Sequence, residues 1–475
     1  MALRDPVELV PAAEAGAVHF IAIGGAGMSG VARLYHEIGA RVTGSDQSDS
    51  PALAELSRLG ITTWVGHEPA HVAGADTVVV SSAIRADNPE LVAAREAGVR
   101  VWHRSTALAA LMLGHQGVAI AGTHGKTTTT AMCAVMLTEA GADPSYVIGA
   151  PLATSGTSAH LGAGAVFVVE ADESDGTFLQ YPAEIVVVTN VEADHLDNWG
   201  TPDEYFAGFE RFAAAPGVRA AVINADDPGA AELADRLTRR GARVVRYGEH
   251  ERSDVRLSDV TLEGVTAEAT LSFEGDSDRL RLQVPGRHNL ANAAAAYAVG
   301  RLLGVDRDRL LAGAHGFTGT LRRFQAKGER GGVRVFDDYA HHPTEIRATL
   351  TAARKVVAGG RLIACFQPHL YSRTRDFADE FGAALALADL VVLTDIYPAR
   401  EDPIPGVTGE LLLDSARAHG AQVVYVADKS RLPGAIAELV EPGDVVLTIG
   451  AGDITLVGPM VLSEIDARRP GDGHE

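Results

Sequence analysis

The chain has 475 residues, 46% of them hydrophobic, which is enough for several packed cores and too many for one ordinary domain. Lys and Arg total 41 against 62 Asp and Glu, a formal charge of −21. Such a chain repels nucleic acid and anionic membrane surfaces, so neither is expected as a partner, and an anionic substrate must be held by local cations.

In chain order, the runs "VHFIAI", "DTVVVSS", "GVAIAG", "AVFVVEAD", "EIVVVTN", "AAVIN", "RLIACF", "DLVVLTD" and "DVVLTIG" read as buried strands, separated by helical patterns. Continuous apolar strands alternating with helices indicate an α/β chain built on parallel sheets covered on both faces. Ligands on such sheets sit beyond the carboxyl ends of the strands. Boundaries fall near Leu108 and Leu321, giving three expected domains over 1–107, 108–321 and 322–475. Between about Ser253 and Pro285 the pattern changes to alternation, as expected for an antiparallel appendage of the middle domain. The tail "ARRPGDGHE" is expected to fray. Cys133 and Cys365 are the two cysteines, so no disulfide framework is expected. "MALRDPVELV" lacks the pattern of a signal peptide, and no run approaches the ~20 apolar residues of a membrane span. The expected location is the cytoplasm.

Two glycine loops stand at strand-to-helix junctions. In the first, "GGAGMSG", Gly25, Gly27 and Gly30 fit G-x-G-x-x-G, with Met28 and Ser29 between them. The helix start offers N–H groups to a diphosphate, and Asp46, closing "RVTGSD", stands where a ribose-binding acid belongs. Alone this pattern fits an NAD-binding domain, a UDP-sugar site or a tight packing turn. In the second, "GTHGKTT", Ile120 stands where a regular P-loop has glycine, so the loop is a shorter form beginning at Gly122. The backbone from Gly122 through Thr123, His124 and Gly125 to Thr128 can wrap phosphates. Lys126 can reach the β and γ oxygens, and the Thr127 hydroxyl can ligate Mg²⁺. Two strand ends carry acids: Glu170, Asp172, Glu173 and Asp175, then Glu192, Asp194, His195 and Asp197. Following buried strands beside a phosphate loop, they suit a hard metal ion.

Taken with "GRHNLANAAAA", "LRRF", "DDYAHHPTE", "FQPHLYSRT" and "DIYPAREDPIPGVTG", these motifs make the chain resemble the Mur ligases nearly end to end. Within that family the last four motifs resemble the branch that adds L-alanine. The resemblance implies a Rossmann-like first domain holding UDP-N-acetylmuramate and no NAD. A central domain holds ATP, and a third Rossmann-like domain receives L-alanine. ATP would convert the substrate carboxylate to an acyl phosphate, which the amine then attacks, in peptidoglycan precursor synthesis. A monomer or weak homodimer is expected.

The resemblance also implies roles. Thr127 and Glu170 would ligate one Mg²⁺ and His195 a second. His288, Asn289 and Asn292 would contact the adenine side. Arg323 would reach the γ-phosphate, and Asp338 the ATP ribose, with Asp337 equally possible on spacing. Tyr339, His341 and Arg373 would line the amino-acid site, and Ser81 and Ser82 would contact the UDP. Lys126, Glu170, His195, Arg323 and His341 form the expected catalytic set. Lys126 is expected to point at its ligand and to bury little. His342 and His369 can be structural, and "RR" in "LRRF" a surface pair. Two features depart from the broader family. "EYFAGFERFAA" has no lysine where several members carry a carbamylated one, and Leu370 stands where some relatives have arginine. The competing readings are a ligase that adds a peptide or another amino acid, an NAD-dependent oxidoreductase and a non-catalytic nucleotide-binding scaffold.

Overall fold

The computed structural model describes residues 8–399 and 401–468, without the side chains of Ala26 and Asp197. The terminal segments read above for targeting and fraying thus lie mostly outside the described residues. The strands form three sheets. The chain divides into two compact units: Met1–Asp259 with Ala269–Leu280 and Ala291–Phe317, and Val260–Glu268 with Arg281–Leu290 and Thr318–Glu475.

The first sheet has five parallel strands in the order Thr62–Val65, Val42–Asp46, Val18–Ile21, Thr77–Val80, Arg100–His103. The chain steps from the central strand to one side and returns to the other, so a crevice opens where strand order reverses. The first glycine loop, Asp46 and Ser81 all stand at strand ends around it. Val18, Phe20 and Ile21 are buried, as is the one polar residue of the strand, His19, which is why this strand reads as a largely apolar run.

The second sheet has ten strands. The strand Gln116–Ala121, which leads into the second glycine loop, is flanked in parallel by Val166–Glu170 and Ile185–Val188. Both acid runs therefore leave the sheet beside the second glycine loop. The alternating region forms three consecutive strands, Val255–Glu263, Thr266–Phe273 and Asp276–Leu282, at one edge. The helix after the loop, Lys126–Glu139, opens with four threonines, a poor helical composition. Thr129 and Thr130, both buried, satisfy their hydroxyls by donating to the carbonyls of Gly125 and Lys126, four residues back.

The third sheet has six strands, with Val333–Asp338 beside Val445–Ile449 and then Leu362–Phe366. The edge strand Gln325–Arg330 runs antiparallel to Val333–Asp338. All nine apolar runs read as strands are strands, and the expected three-part α/β architecture is present.

Candidate active site

At the first loop, Gly24 N–H donates to Asp46 Oδ2 at 2.9 Å, tying the loop to the neighbouring strand end. Gly25 caps the helix Ala26–Glu37, its carbonyl accepting from Met28 and Ser29. Gly27 must be small, because a Cβ there would lie 2.0 Å from Arg104 Nη1. At Gly30 a Cβ would come within 3.1 Å of the Ala159 Cβ. Met28 is buried in the core and has only its backbone to offer a ligand. A cleft of about 280 Å³ lies beside the loop, lined by Gly24, Ser29, Gly30, Arg33 and the segment from Gly149 to Ala159. Ser81 follows the strand Thr77–Val80. Ser82 Oγ donates to Asp175 and lies 3.1 Å from His103 Nε2, so it fastens this strand end to the first acid-bearing segment.

At the second loop, Gly122 has φ 137°, and a Cβ there would strike Thr189 Oγ1 at 1.9 Å. Gly125, with φ 82°, caps the helix and faces Asn292 Oδ1. Thr123 Oγ donates to the Glu192 carbonyl, and His124 N–H to Asn190 Oδ1. Thr128 is half-buried on the first helical turn. Thr127 Oγ lies 3.0 Å from Glu170 Oε1, while Glu170 Oε2 accepts from Gly149 N–H at 2.7 Å. The hydroxyl and carboxylate expected to share a metal ion are thus side by side.

Lys126 differs from expectation. Its ammonium lies over its own loop, donating to the Gly122 and Thr123 carbonyls at 2.6 and 3.1 Å, and pairs with Glu173 Oε2 at 2.7 Å. Its side chain is 15% exposed and that of Glu173 is 1%. Burial works against the ammonium, but Glu173, Asp172 and Glu170 outweigh it and hold its pKa above the ordinary lysine value. Burial pushes the Glu173 carboxyl up, with Lys126 opposing. Below this pair Tyr205, fully buried, places its hydroxyl 3.1 Å from Thr123 Oγ and 3.4 Å from Glu173 Oε1. Asp172 is held down at about 2: burial opposes, and Arg104 and then Lys126 prevail. His195 has φ 53°, sits 3.5 Å from Asp194 and adds to the field that favours Glu173 ionisation. The side chain of Asp197 lies outside the described residues.

The second unit carries its own cluster. His288 and Asn289 open the helix Arg287–Leu302, whose later part, with Asn292, belongs to the first unit. Asn289 donates to the Pro285 carbonyl, and burial, with Arg323 adding to it, lowers His288 to about 4. The two arginines of "LRRF" part company. Arg322 donates to the Gly450 and Gly452 carbonyls, a structural fastening, and lies 4.6 Å from the centre of the Tyr339 ring. Arg323 lies over the Tyr339 ring, 5.3 Å from its centre, and 3.8 Å from Glu345. The two aspartates differ as well. Asp337 is fully buried, its oxygens accepting from the Thr448 and Thr455 hydroxyls. Asp338 accepts from the Phe324 and Ala340 N–H groups, and burial raises it to about 6 against the pull of Arg323.

His341 Nδ1 lies 3.1 Å from the Tyr339 carbonyl and 3.3 Å from Glu345. Both neighbours are acceptors, so the proton belongs on Nδ1 and Nε2 is an acceptor. Burial lowers His341 to about 3, Glu345 opposing and Arg373 assisting. Arg373 is buried on the short helix Tyr371–Asp376, capped by Leu370 at φ 71°. His342 caps the helix Pro343–Val356 in a reciprocal box with Glu345, and His369 stacks on Tyr397. Sequence reading passed over Arg104, Glu173 as a lysine partner, Glu345 and Tyr397. Only Glu345 had a local signal, three residues after the cap in "HPTE".

Residues 17–116 match the description "Mur ligase family, catalytic domain", residues 120–300 "Mur ligase middle domain" and residues 322–452 "Mur ligase, glutamate ligase domain". The chain is 67% identical to a UDP-N-acetylmuramate–L-alanine ligase of Cutibacterium acnes, over 98% of this chain and 100% of that one. It is 54% identical to a protein of the same name from Kineococcus radiotolerans, over 96% and 98%. The crystal structure of a UDP-N-acetylmuramate–alanine ligase from Thermotoga maritima superposes with a TM-score of 0.81 at 30% identity, covering 95% of this chain and 100% of that one. A murein peptide ligase from Psychrobacter arcticus gives 0.71 at 25% identity, over 95% and 98%. With three consecutive domain matches and relatives more than half identical along nearly its whole length, the chain belongs to the Mur ligase family.

Proposed function

We propose that this protein joins L-alanine to the carboxylate of UDP-N-acetylmuramate with hydrolysis of ATP to ADP and phosphate, in peptidoglycan precursor synthesis. The observation that carries this reading is the full-length likeness to relatives named for that reaction. On it, residues 1–107 hold the UDP-sugar, 108–321 hold ATP and 322–475 receive the amino acid.

The substrate carboxylate attacks the γ-phosphorus, ADP leaves, and the resulting acyl phosphate is a good electrophile. The alanine nitrogen then attacks the acyl carbon, phosphate departs and one proton is lost. No protein nucleophile is required, so the protein's part is positioning and charge neutralisation. Lys126, released from Glu173, takes the β and γ oxygens, with the loop Gly122–Thr128 around them. Thr127 and Glu170 offer two oxygen donors 3.0 Å apart, a donor set that fits Mg²⁺. His195 would hold a second ion. Such ions supply charge neutralisation at the phosphoryl oxygens. His288, Asn289 and Asn292 serve the adenine side, Arg323 the γ-phosphate and Asp338 the ribose. Both carboxylates have both oxygens engaged, and Asp337, fully buried where Asp338 is 5% exposed, is the poorer ribose partner. His341, at about 3, is too weak a base to take the amine proton, but its Nε2 can accept a hydrogen bond from the amine. Arg373 pairs with the alanine carboxylate.

The test is ADP release. It should require both UDP-N-acetylmuramate and L-alanine, and NAD should not bind at millimolar concentration. Release with a tripeptide but not with L-alanine would transfer the reading to peptide addition, the activity named for the Psychrobacter protein.

A further inference from the structure

The second glycine loop brings its own cation, Lys126. The first, "GGAGMSG", brings none. In a chain of charge −21 a diphosphate cannot rely on the global field. The nearest cation on the helix that follows, Arg33, is committed to Glu37 at 2.9 Å and Glu55 at 3.5 Å. Arg104 stands elsewhere. It opens the helix Arg104–Met112 after the last strand of the first sheet, and its guanidinium lies against the Cα of Gly27. Nη2 is 3.5 Å from Asp172 Oδ2, and the side chain is 26% exposed. Burial works against its charge, but Asp172, Tyr181, Asp175 and Glu170 hold it strongly cationic.

Resting on the proposed function, we propose that Arg104 is the cation of the first loop and binds the diphosphate of the nucleotide sugar. The absence of a side chain at Gly27 is what lets the guanidinium lie beside the first helical turn, where the backbone N–H groups face an anion. Asp172 serves as its counter-charge and sits within the field of Lys126 as well. One carboxylate thus stands between the cations of the two loops. A second anion, the substrate carboxylate, offers the same chemistry, and the experiment separates the two.

The experiment is calorimetric titration of wild type, Arg104→Ala, Arg104→Lys, Gly27→Ala and the Arg104→Ala/Gly27→Ala double variant with UDP, UDP-N-acetylmuramate and ATP. Arg104→Ala should weaken UDP and UDP-N-acetylmuramate alike by tenfold or more and leave ATP within twofold. Arg104→Lys should recover part of the loss. Gly27→Ala, which displaces the guanidinium, should cost little more once Arg104 is gone, so the two losses should be far from additive. Weakened UDP-N-acetylmuramate with unchanged UDP would assign Arg104 to the carboxylate and overturn the diphosphate assignment. Unchanged affinity for both would make Arg104 only a fastening to Asp172 and overturn it too. A wild-type protein that binds UDP but not UDP-N-acetylmuramate would instead count against the proposed function and leave the diphosphate role of Arg104 standing.

Discussion

Lys126 and Glu173 form a buried pair, and such pairs are costly to break from one side. Lys126→Ala should abolish ligation, since charge assistance at a transferred phosphoryl group is worth several kcal/mol. It should also destabilise the fold by about 3 kcal/mol, because Glu173 is left buried without its cation. Glu173→Gln in the same chain should restore most of the melting temperature and none of the activity. A single variant that melts like wild type would show that the pair contributes nothing to stability. The amino-acid cluster gives a second expectation. His341 is held at about 3, so no inflection of the ligation rate between pH 6 and 8 should belong to it. Arg373→Ala should raise the alanine KM at least tenfold with little change in the ATP KM, since a buried guanidinium is matched to a carboxylate. Steady-state kinetics decide this: a raised ATP KM with an unchanged alanine KM would give Arg373 to the nucleotide.

At the scale of elements, one buried carboxylate holds the first sheet's strand ends. Glu90, in the first turn of the helix Pro89–Glu96, accepts from Ser45 at 2.5 Å, lies 2.7 Å from His71 and 3.2 Å from His67, and faces His19 at 3.6 Å. Burial alone would raise its pKa, but the His19, Ser45 and His71 side chains outweigh burial and hold it at about 2. A carboxyl lowered from 4.5 to about 2 contributes about 3 kcal/mol. That contribution is present above pH 4.5 and is lost as pH falls toward 2. Glu90→Gln should therefore melt well below wild type at pH 7, and the gap should narrow between about pH 4.5 and 3. A gap independent of pH would mean packing, not charge, is what Glu90 supplies. This hub was invisible in the sequence because Glu90, His19 and the His67–His71 stretch come from a helix, a strand and a loop leading into a 3₁₀ turn, all far apart in the chain. The unbroken apolar runs found by reading are strands buried on both faces, and the half-exposed strands over 255–282 were legible through their alternation. Thr62–Val65 and Arg100–His103, at the edges of the first sheet, and Val333–Asp338, which ends in two acids, carry no unbroken apolar run and were missed. The glycine loops were legible because loop geometry and phosphate chemistry both restrict residue choice locally. Arg104 was not, because its place beside Gly27 exists only after the sheet has folded.

For the whole molecule the governing quantity is the charge of −21. Every substrate of the proposed reaction except alanine is an anion, so the approach is against the overall field, and on the proposed roles binding comes from Arg104, Lys126, Arg323 and bound metal ions at short range. The two contributions respond differently to salt. Long-range repulsion between exposed charges is screened beyond ~10 Å at 0.1 M ionic strength. A cation half-buried against a loop is screened much less. The association rate of UDP-N-acetylmuramate should therefore rise as salt increases from low values to about 0.1 M, the reverse of an electrostatically steered encounter. The dissociation rate should change less. Of the chain's three tryptophans, Trp102 precedes His103 and Arg104 and is buried beside them in sequence, which makes it the natural reporter for stopped-flow fluorescence. Replacing the other two, Trp64 and Trp199, with phenylalanine would isolate its signal. An association rate that falls steeply with salt would show that the cations near the first loop dominate the approach as well as the bound state, and that the net charge of the molecule has no bearing on substrate capture.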